Sequence, residues 1–284
     1  MPWNKEFECM PVEKLQKFQL EKLQETVAWV AKNVPFYKKK FKELGIKPAD
    51  VKSLEDVAKL PVTIKEDLRD NYPFDLCAVP LKDVVRVHAS SGTTGKPITG
   101  PYTQDDLDQW TECMTRNFWA AGVRPEDVVQ NAYGHGLFTG GLGFHQGASN
   151  LGCTTVPTSA GLTERQITLM QDFNADILCC TPSYALTIAE RAEELKVDIK
   201  ALKVRAGIFG AEPWTSQMRD EIEARMGIKA MEAYGLTELG GPGVAFDCNE
   251  QNGLHVNEDH YLAEIVDPAT LEPLPLGEKG ELIF

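Results

Sequence analysis

From Asp83 onward the chain alternates short apolar runs with helix-length amphipathic stretches, and this alternation restricts the fold more than any other feature. DVVRVHAS reads as a strand, 104–121 as a helix, and DVVQNA and CTTVPT as strands. A helix follows, opened by a capping box from Thr163 to Gln166, and then the strand DILCCT. A helix over 183–195, the strand VRAGIFG, a helix over 213–226 and the strand KAMEAYG complete the series. Strands joined through helices build a mostly parallel sheet covered by helices, so the expected class is α/β. Ligands of such sheets collect in the loops beyond the carboxyl ends of the strands.

Different patterns flank this core. Over 1–82 the chain reads as helical: PVEKLQKFQLEKLQETVAWVAKNV has helical spacing and stops at Pro35. Two shorter helices follow, one signalled by Ser53 to Asp56 and one by a capping box from Thr63 to Glu66. The α/β core is expected over 83–245. The segment 246–284 is β-rich, and its ending in the apolar ELIF reads as a subdomain cut short.

Composition narrows the function classes. The net charge of −13 argues against a nucleic-acid surface, which should be basic. There is no signal-peptide pattern and no run of about 18 apolar residues, so neither secretion nor a membrane span is expected. Seven scattered cysteines without a CxxC pair read as reduced thiols of a cytoplasmic protein, with Cys179 and Cys180 in the core. Cys248 and His255, near His260, Glu258, Asp259 and Glu264, admit two readings: a structural Zn²⁺ site with a further ligand from elsewhere, or ordinary packed and solvated side chains. The long N-terminal helical region is compatible with a homodimer, although nothing specifies one.

The most polar loop is SSGTTGKPITG at 90–100. A Walker loop needs four residues between its glycines, then Lys and a hydroxyl opening a helix. Here two residues separate Gly92 from Gly95, and Pro97 follows Lys96. Pro97 biases Lys96 towards extended backbone, and ITGPYT beyond it is strand-like. A strand–loop–strand element is therefore expected. Gly92 and Gly95 can turn backbone N–H groups into one anion-binding nest, supplemented by Ser90, Ser91, Thr93, Thr94 and Lys96. A plain Gly/Ser/Thr hairpin turn is the competing reading.

SSGTTGKP resembles the phosphate loop of the adenylate-forming superfamily, the acyl- and aryl-CoA synthetases. Tyr234-Gly-Leu-Thr-Glu238 and Gly210-Ala-Glu-Pro-Trp214 resemble two further motifs of that superfamily, in the same order. The run from Tyr133 to Gly141 and the segment 253–264 narrow the resemblance to the phenylacetate–coenzyme A ligases, over essentially the whole chain. The resemblance implies the large N-terminal domain of that fold and a two-step reaction. An aryl acid, phenylacetate first, is activated by ATP to an acyl-adenylate and then passed to coenzyme A.

Thr93, Thr237 and Glu238 would carry the chemistry, with Glu238 coordinating Mg²⁺ and Thr237 bonding the α-phosphate. The 90–96 loop would hold the outer phosphates. Gly210, Ala211, Glu212, Pro213, Ala233, Tyr234, Gly235 and Leu236 would frame the adenine, and Glu212 would cap the helix at 213–226. Tyr133, Phe138, Ala211, Ala233 and Pro242 would wall the aryl pocket, with Gly134, Gly136, Gly140, Gly141 and Gly143 keeping its loop slim. His135 is a candidate for the acid's carboxylate or for local hydrogen bonding. The family's ribose-binding aspartate, hinge and small C-terminal domain, with its adenylation lysine, lie beyond Phe284. By itself the 284-residue chain is therefore expected to bind ATP weakly and adenylate poorly. A ligase for another aryl acid, such as indoleacetate, and a nucleotide-binding module without catalysis are the alternatives.

Overall fold

The computed structural model describes residues 1–90 and 95–284. The N-terminal region holds α1 (Lys5–Glu8), α2 (Val12–Asn33), α3 (Pro35–Leu44) and α4 (Lys65–Asp70). Pro35 forces Val34 into extended backbone, which ends α2, and then opens α3 from its first turn, where its missing N–H costs nothing. Gly45 closes α3 in the left-handed region at φ 69°. Val27, Phe41 and Val51 form a small core of their own here. The start of α4 falls later than the Thr63 capping box predicts: Asp67 accepts from the Ile64 N–H at 3.1 Å, so Ile64 is the cap.

A hairpin of β1 (Arg86–Ala89) and β2 (Thr99–Tyr102) precedes α5 (Gln104–Ala120). Then come β3 (Val128–Asn131), α6 (Thr139–Leu151), β4 (Thr154–Val156), α7 (Thr163–Asp172), β5 (Ile177–Cys180) and α8 (Pro182–Glu194). The core ends with β6 (Ala206–Gly210), α9 (Ser216–Met226), β7 (Lys229–Leu236), β8 (Gly241–Phe246) and β9 (His255–Val256). A separate antiparallel pair, β10 (Glu264–Val266) and β11 (Glu281–Ile283), follows. The main sheet has the order β4-β3-β5-β6-β7-β8-β9. Pairing is parallel from β4 to β7 and antiparallel from β7 to β9. From β3 the chain steps outward to β4 and then returns across to β5, which makes the gap between β3 and β5 a topological switch point.

Helices on both faces explain why β5 and β6 are apolar throughout. Ile177, Cys179 and Ile208 point to a cluster with Trp110, Phe118 and Phe144, while Leu178, Cys180 and Phe209 point to one with Ile188, Ala189 and Ile222. Burial pushes the Cys179 and Cys180 thiols far above their ordinary range, consistent with inert core residues.

Two further sequence expectations change in the structure. Leu162, at φ 50°, is the cap of α7, and Thr163 is its first helical residue. Gln166 turns inward instead of completing a capping box: its amide donates to the Ser159 and Gly161 carbonyls and its oxygen accepts from Gln130. Second, Gly140, Gly141 and Gly143 belong to α6, not to a slim loop. Their missing side chains let α6 approach its neighbours closely. A Cβ at Gly143 would lie 2.4 Å from Trp110, and one at Gly147 would lie 2.5 Å from Met114 Cβ and 2.9 Å from its carbonyl carbon.

Gly147→Ala should therefore destabilise the protein by about 1–3 kcal/mol through overpacking, although alanine is by about 1 kcal/mol the better helix former. Urea unfolding followed by circular dichroism measures this; an unchanged or raised midpoint would contradict the close packing.

Candidate functional site

The residues that flank 91–94 pair as the two strands of an antiparallel hairpin, and Pro97 is followed by a strand as expected. Ala89 pairs with Thr99, the Ser90 N–H donates to Ile98 O at 2.9 Å, and the Ile98 N–H donates to Ser90 Oγ at 2.9 Å. Ser90 thus closes the hairpin with both its backbone and its hydroxyl. Ser91, Gly92, Thr93 and Thr94 lie outside the described residues. Gly95 takes φ 140° and Lys96 is exposed.

The second element is the turn leaving β6. Gly210 pairs with Ala233 on β7, so close that a Cβ at Gly210 would lie 2.1 Å from the Ala233 carbonyl oxygen. Only glycine fits there. Ala211 follows at φ 71°, a left-handed conformation that costs a non-glycine residue strain of the kind found at ligand-binding turns. Ala211 and Pro213 are exposed. Glu212 caps a helix, although not the one expected: its carboxylate accepts from Ser183 N at 2.7 Å in the first turn of α8. Helix α9 is capped by Thr215. Glu212 therefore ties the end of β6 to the end of β5, at the amide-rich start of a helix where negative charge is favoured.

The third element is the 3₁₀ turn Thr237–Leu239, between β7 and β8. Glu238 is partly buried and pairs loosely with Lys65 of α4, Nζ to Oε1 3.6 Å. Burial, and then the Glu238 carboxylate, push the Tyr234 phenol above its ordinary range, which places the two groups within electrostatic reach. A cavity of about 380 Å³ opens beside this turn, with Tyr102, Trp110, Thr237, Glu238, His260 and Tyr261 in its wall. Tyr234 also stacks on Phe284, ring centroids 6.2 Å apart.

The residues assigned to an aryl pocket divide in two. Tyr133 and Ala233 are buried in one core cluster, and Tyr133 stacks on Phe144 at 4.5 Å. Phe138 is 38% exposed and lies over Gly140. Pro242 accepts a 2.7 Å hydrogen bond from the Trp110 indole and packs near Gly143. The loop after β3 is shaped by Asn131, which bonds Gly141 O and accepts from Tyr133 N. His135 is held through its own N–H by Ser159 Oγ at 3.3 Å, and both its ring nitrogens are buried without a partner among the described residues. Sequence reasoning overlooked Lys65, Trp110 and Asn131. No local pattern flags the lysine, because its role depends on a contact with Glu238, far away in the chain.

The zinc expectation finds no site. Among the described residues no three His, Cys, Asp or Glu side chains converge on a point where a metal could bind. His255 is exposed and lies near Phe246, and Cys248 is a free thiol. Asp259 is committed elsewhere: it makes a two-pronged pair with the fully buried Arg116, at 2.8 and 2.9 Å.

The motifs, their strand-end placement and this topology define an enzyme class. The model of the AMP-binding enzyme family matches residues 13–284, and the chain belongs to that family. The phenylacetate–coenzyme A ligase of Pseudomonas putida is 51% identical over 278 residues, 98% of this chain and 63% of its own length. That of Escherichia coli K12 is 50% identical over 279 residues, 98% of this chain and 64% of its own length. The chain thus spans 63–64% of the length of these curated relatives. Among solved structures, a 2-hydroxyisobutyryl-CoA ligase in complex with 2-HIB-AMP and CoA superposes with a TM-score of 0.94 at 30% identity, over 99% of this chain and 62% of that one. The fold is that of the large N-terminal domain of adenylate-forming ligases. Among the described residues no helix is long and apolar enough to cross a membrane.

Arg116 is buried among Glu112, Asn257 and Asp259. Asp259→Ala should cost about 3 kcal/mol, the lower end for breaking a buried pair, because the guanidinium loses its two-pronged partner and keeps only Glu112 and Asn257. Chemical denaturation reads this directly, and a loss below about 1 kcal/mol would show the charge to be solvated instead.

Proposed function

We propose that this chain forms the ATP- and acid-binding part of an AMP-forming acid–thiol ligase whose acid is phenylacetate. The observation that carries this reading is the register of β6 and β7, which sets Gly210 opposite Ala233 so that the 210–213 turn leaves beside β7, the strand that ends in the Thr237–Leu239 turn. The level of identity to phenylacetate–coenzyme A ligases supports the choice of acid.

In the first step an oxygen of the acid's carboxylate attacks the α-phosphorus of ATP. The bond from that phosphorus to the bridging oxygen breaks, and pyrophosphate leaves with the electron pair. In the second step the thiol of coenzyme A attacks the acyl carbon, AMP departs, and the thiol proton is released. Both steps depend on alignment and charge neutralisation more than on a covalent group of the protein. Ala211 and Pro213, exposed beside Tyr234, receive the adenine. The Thr237 hydroxyl donates to the α-phosphate. Ser90, Gly95 and Lys96 belong to the loop assigned to the outer phosphates, together with Ser91, Gly92, Thr93 and Thr94. Phe138 and Ala211 offer the exposed apolar surface for the aryl ring, with Tyr133, Ala233 and Pro242 closing the pocket.

The donor set suits a magnesium ion arriving with ATP. One carboxylate, Glu238, and an adjacent hydroxyl face a cavity, and Mg²⁺ is commonly held by one or two carboxylates plus substrate phosphates and water. When bound, the ion would neutralise phosphate charge as pyrophosphate leaves.

ATP–pyrophosphate exchange tests this reading, using the chain alone and the chain completed with the remainder of the Pseudomonas putida relative. Phenylacetate should support exchange by the completed protein at least about tenfold better than acetate, with indoleacetate and hydroxyphenylacetate as further comparisons, since one or two apolar contacts discriminate on that scale. Glu238→Gln should lower exchange about a hundredfold or more, as expected for removal of a charge-stabilising group. Exchange with no acid in the panel by the folded, completed protein would reject the reading.

A further inference from the structure

Glu238 stands on a three-residue turn closed by Gly240 at φ 90°. The turn lines the 380 Å³ cavity, so side-chain packing does not support it there. The ion pair with Lys65 is long, and the lysine is mostly exposed, which makes it a weak restraint. A firmer one reaches the backbone next to Glu238: the Tyr261 hydroxyl donates to the Leu239 carbonyl at 3.1 Å.

Tyr261 is itself held on several sides. Its N–H and that of His260 both donate to Asn257 O at 2.9 Å. Asn257 is anchored to β8: its N–H donates to Val244 O at 3.0 Å and its side-chain amide to Gly243 O at 2.7 Å. Arg116 on α5 bonds both Asn257 and Asp259, and Glu112 next to it accepts from Trp3 and Asn4. The 257–261 segment is thus clamped to β8 and α5 before it extends its one hydroxyl across to Leu239. Burial keeps that phenol protonated far above neutral pH, so it serves only as a donor to the carbonyl.

We propose that Tyr261 is a positioning residue for Glu238, setting through Leu239 where the carboxylate meets Mg²⁺–ATP. The inference rests on the reading of Glu238 as the magnesium ligand. In a turn of three residues, a displaced carbonyl at Leu239 moves the preceding Cα, and with it the carboxylate. The predicted signature is a changed requirement for Mg²⁺, not a changed fit for adenine or for the acid.

Tyr261→Phe removes the one oxygen and keeps the ring. In the protein completed with the remainder of the Pseudomonas putida relative, ATP binding is measured by calorimetry at a series of Mg²⁺ concentrations, and Tm is recorded for the same samples. The half-saturating Mg²⁺ concentration should rise about two- to tenfold, the scale set by loss of one hydrogen bond, while ATP binding at saturating Mg²⁺ and Tm stay close to the parent values. An unchanged Mg²⁺ requirement overturns the proposal, whether or not Tm falls, since a fall in Tm alone marks a purely structural tie. If the parent itself shows no Mg²⁺-dependent ATP binding, the reading of Glu238 fails and the positioning role falls with it. If the parent responds to Mg²⁺ and Tyr261→Phe responds identically, the positioning role alone is rejected.

Discussion

Burial of β5 and β6 on both faces is the constraint from which the rest of the molecule follows. With helices on either side, neither strand can spare a polar side chain, and consecutive residues must satisfy two cores in turn. The polar groups that chemistry requires are thereby expelled from the strands to their ends. Ala211 and Glu212 stand just beyond β6, and Thr237 and Glu238 just beyond β7. The crossover of the chain between β3 and β5 opens the crevice at the same edge.

Close backbone approach is the second theme, and it sets where each strand end can sit. Gly210 lies against Ala233, Gly235 against Gly241, and the glycines of α6 against Trp110, Met114 and the Gly134 carbonyl. Each contact leaves no room for a methyl group, and at Gly210, Gly235 and Gly141 the neighbour is backbone, which cannot adapt as a side chain can. Strand ends framed in this way are preorganised. The left-handed Ala211 is the local conformational cost, and Glu212 helps to maintain it by joining the turn to the start of α8.

Polar ties from distant parts of the chain complete the edge. Lys65 comes from the N-terminal helical region, Trp110 from α5, and Tyr261 from the segment beyond β9. The buried Arg116 gathers Glu112, Asn257 and Asp259 around one guanidinium, so the first residues of the chain and the 257–261 segment share a single anchor. A buried charge of this kind is tolerable only when it is fully paired, and here it is.

The amino-acid sequence by itself determined the alternation of strands and helices, the non-Walker character of the 90–100 loop, and the family to which GAEPW and YGLTE point. These properties are local: proline geometry, glycine spacing and apolar periodicity act within a few residues. Where the local signal was misleading, tertiary packing had overruled it. Thr163 ceded its capping role because Gln166 was needed inside to bond Ser159 and Gly161, and Gly140, Gly141 and Gly143 lie in α6, where Gly143 meets Trp110 of α5. Only the tertiary structure decided that Glu212 caps α8, that Asp259 serves Arg116 and leaves Cys248 and His255 without it as a partner, and that Tyr261 meets Leu239. The reason is physical: hydrogen bonds and ion pairs form between atoms near in space, and residues far apart in the chain leave no local pattern by which to foresee them.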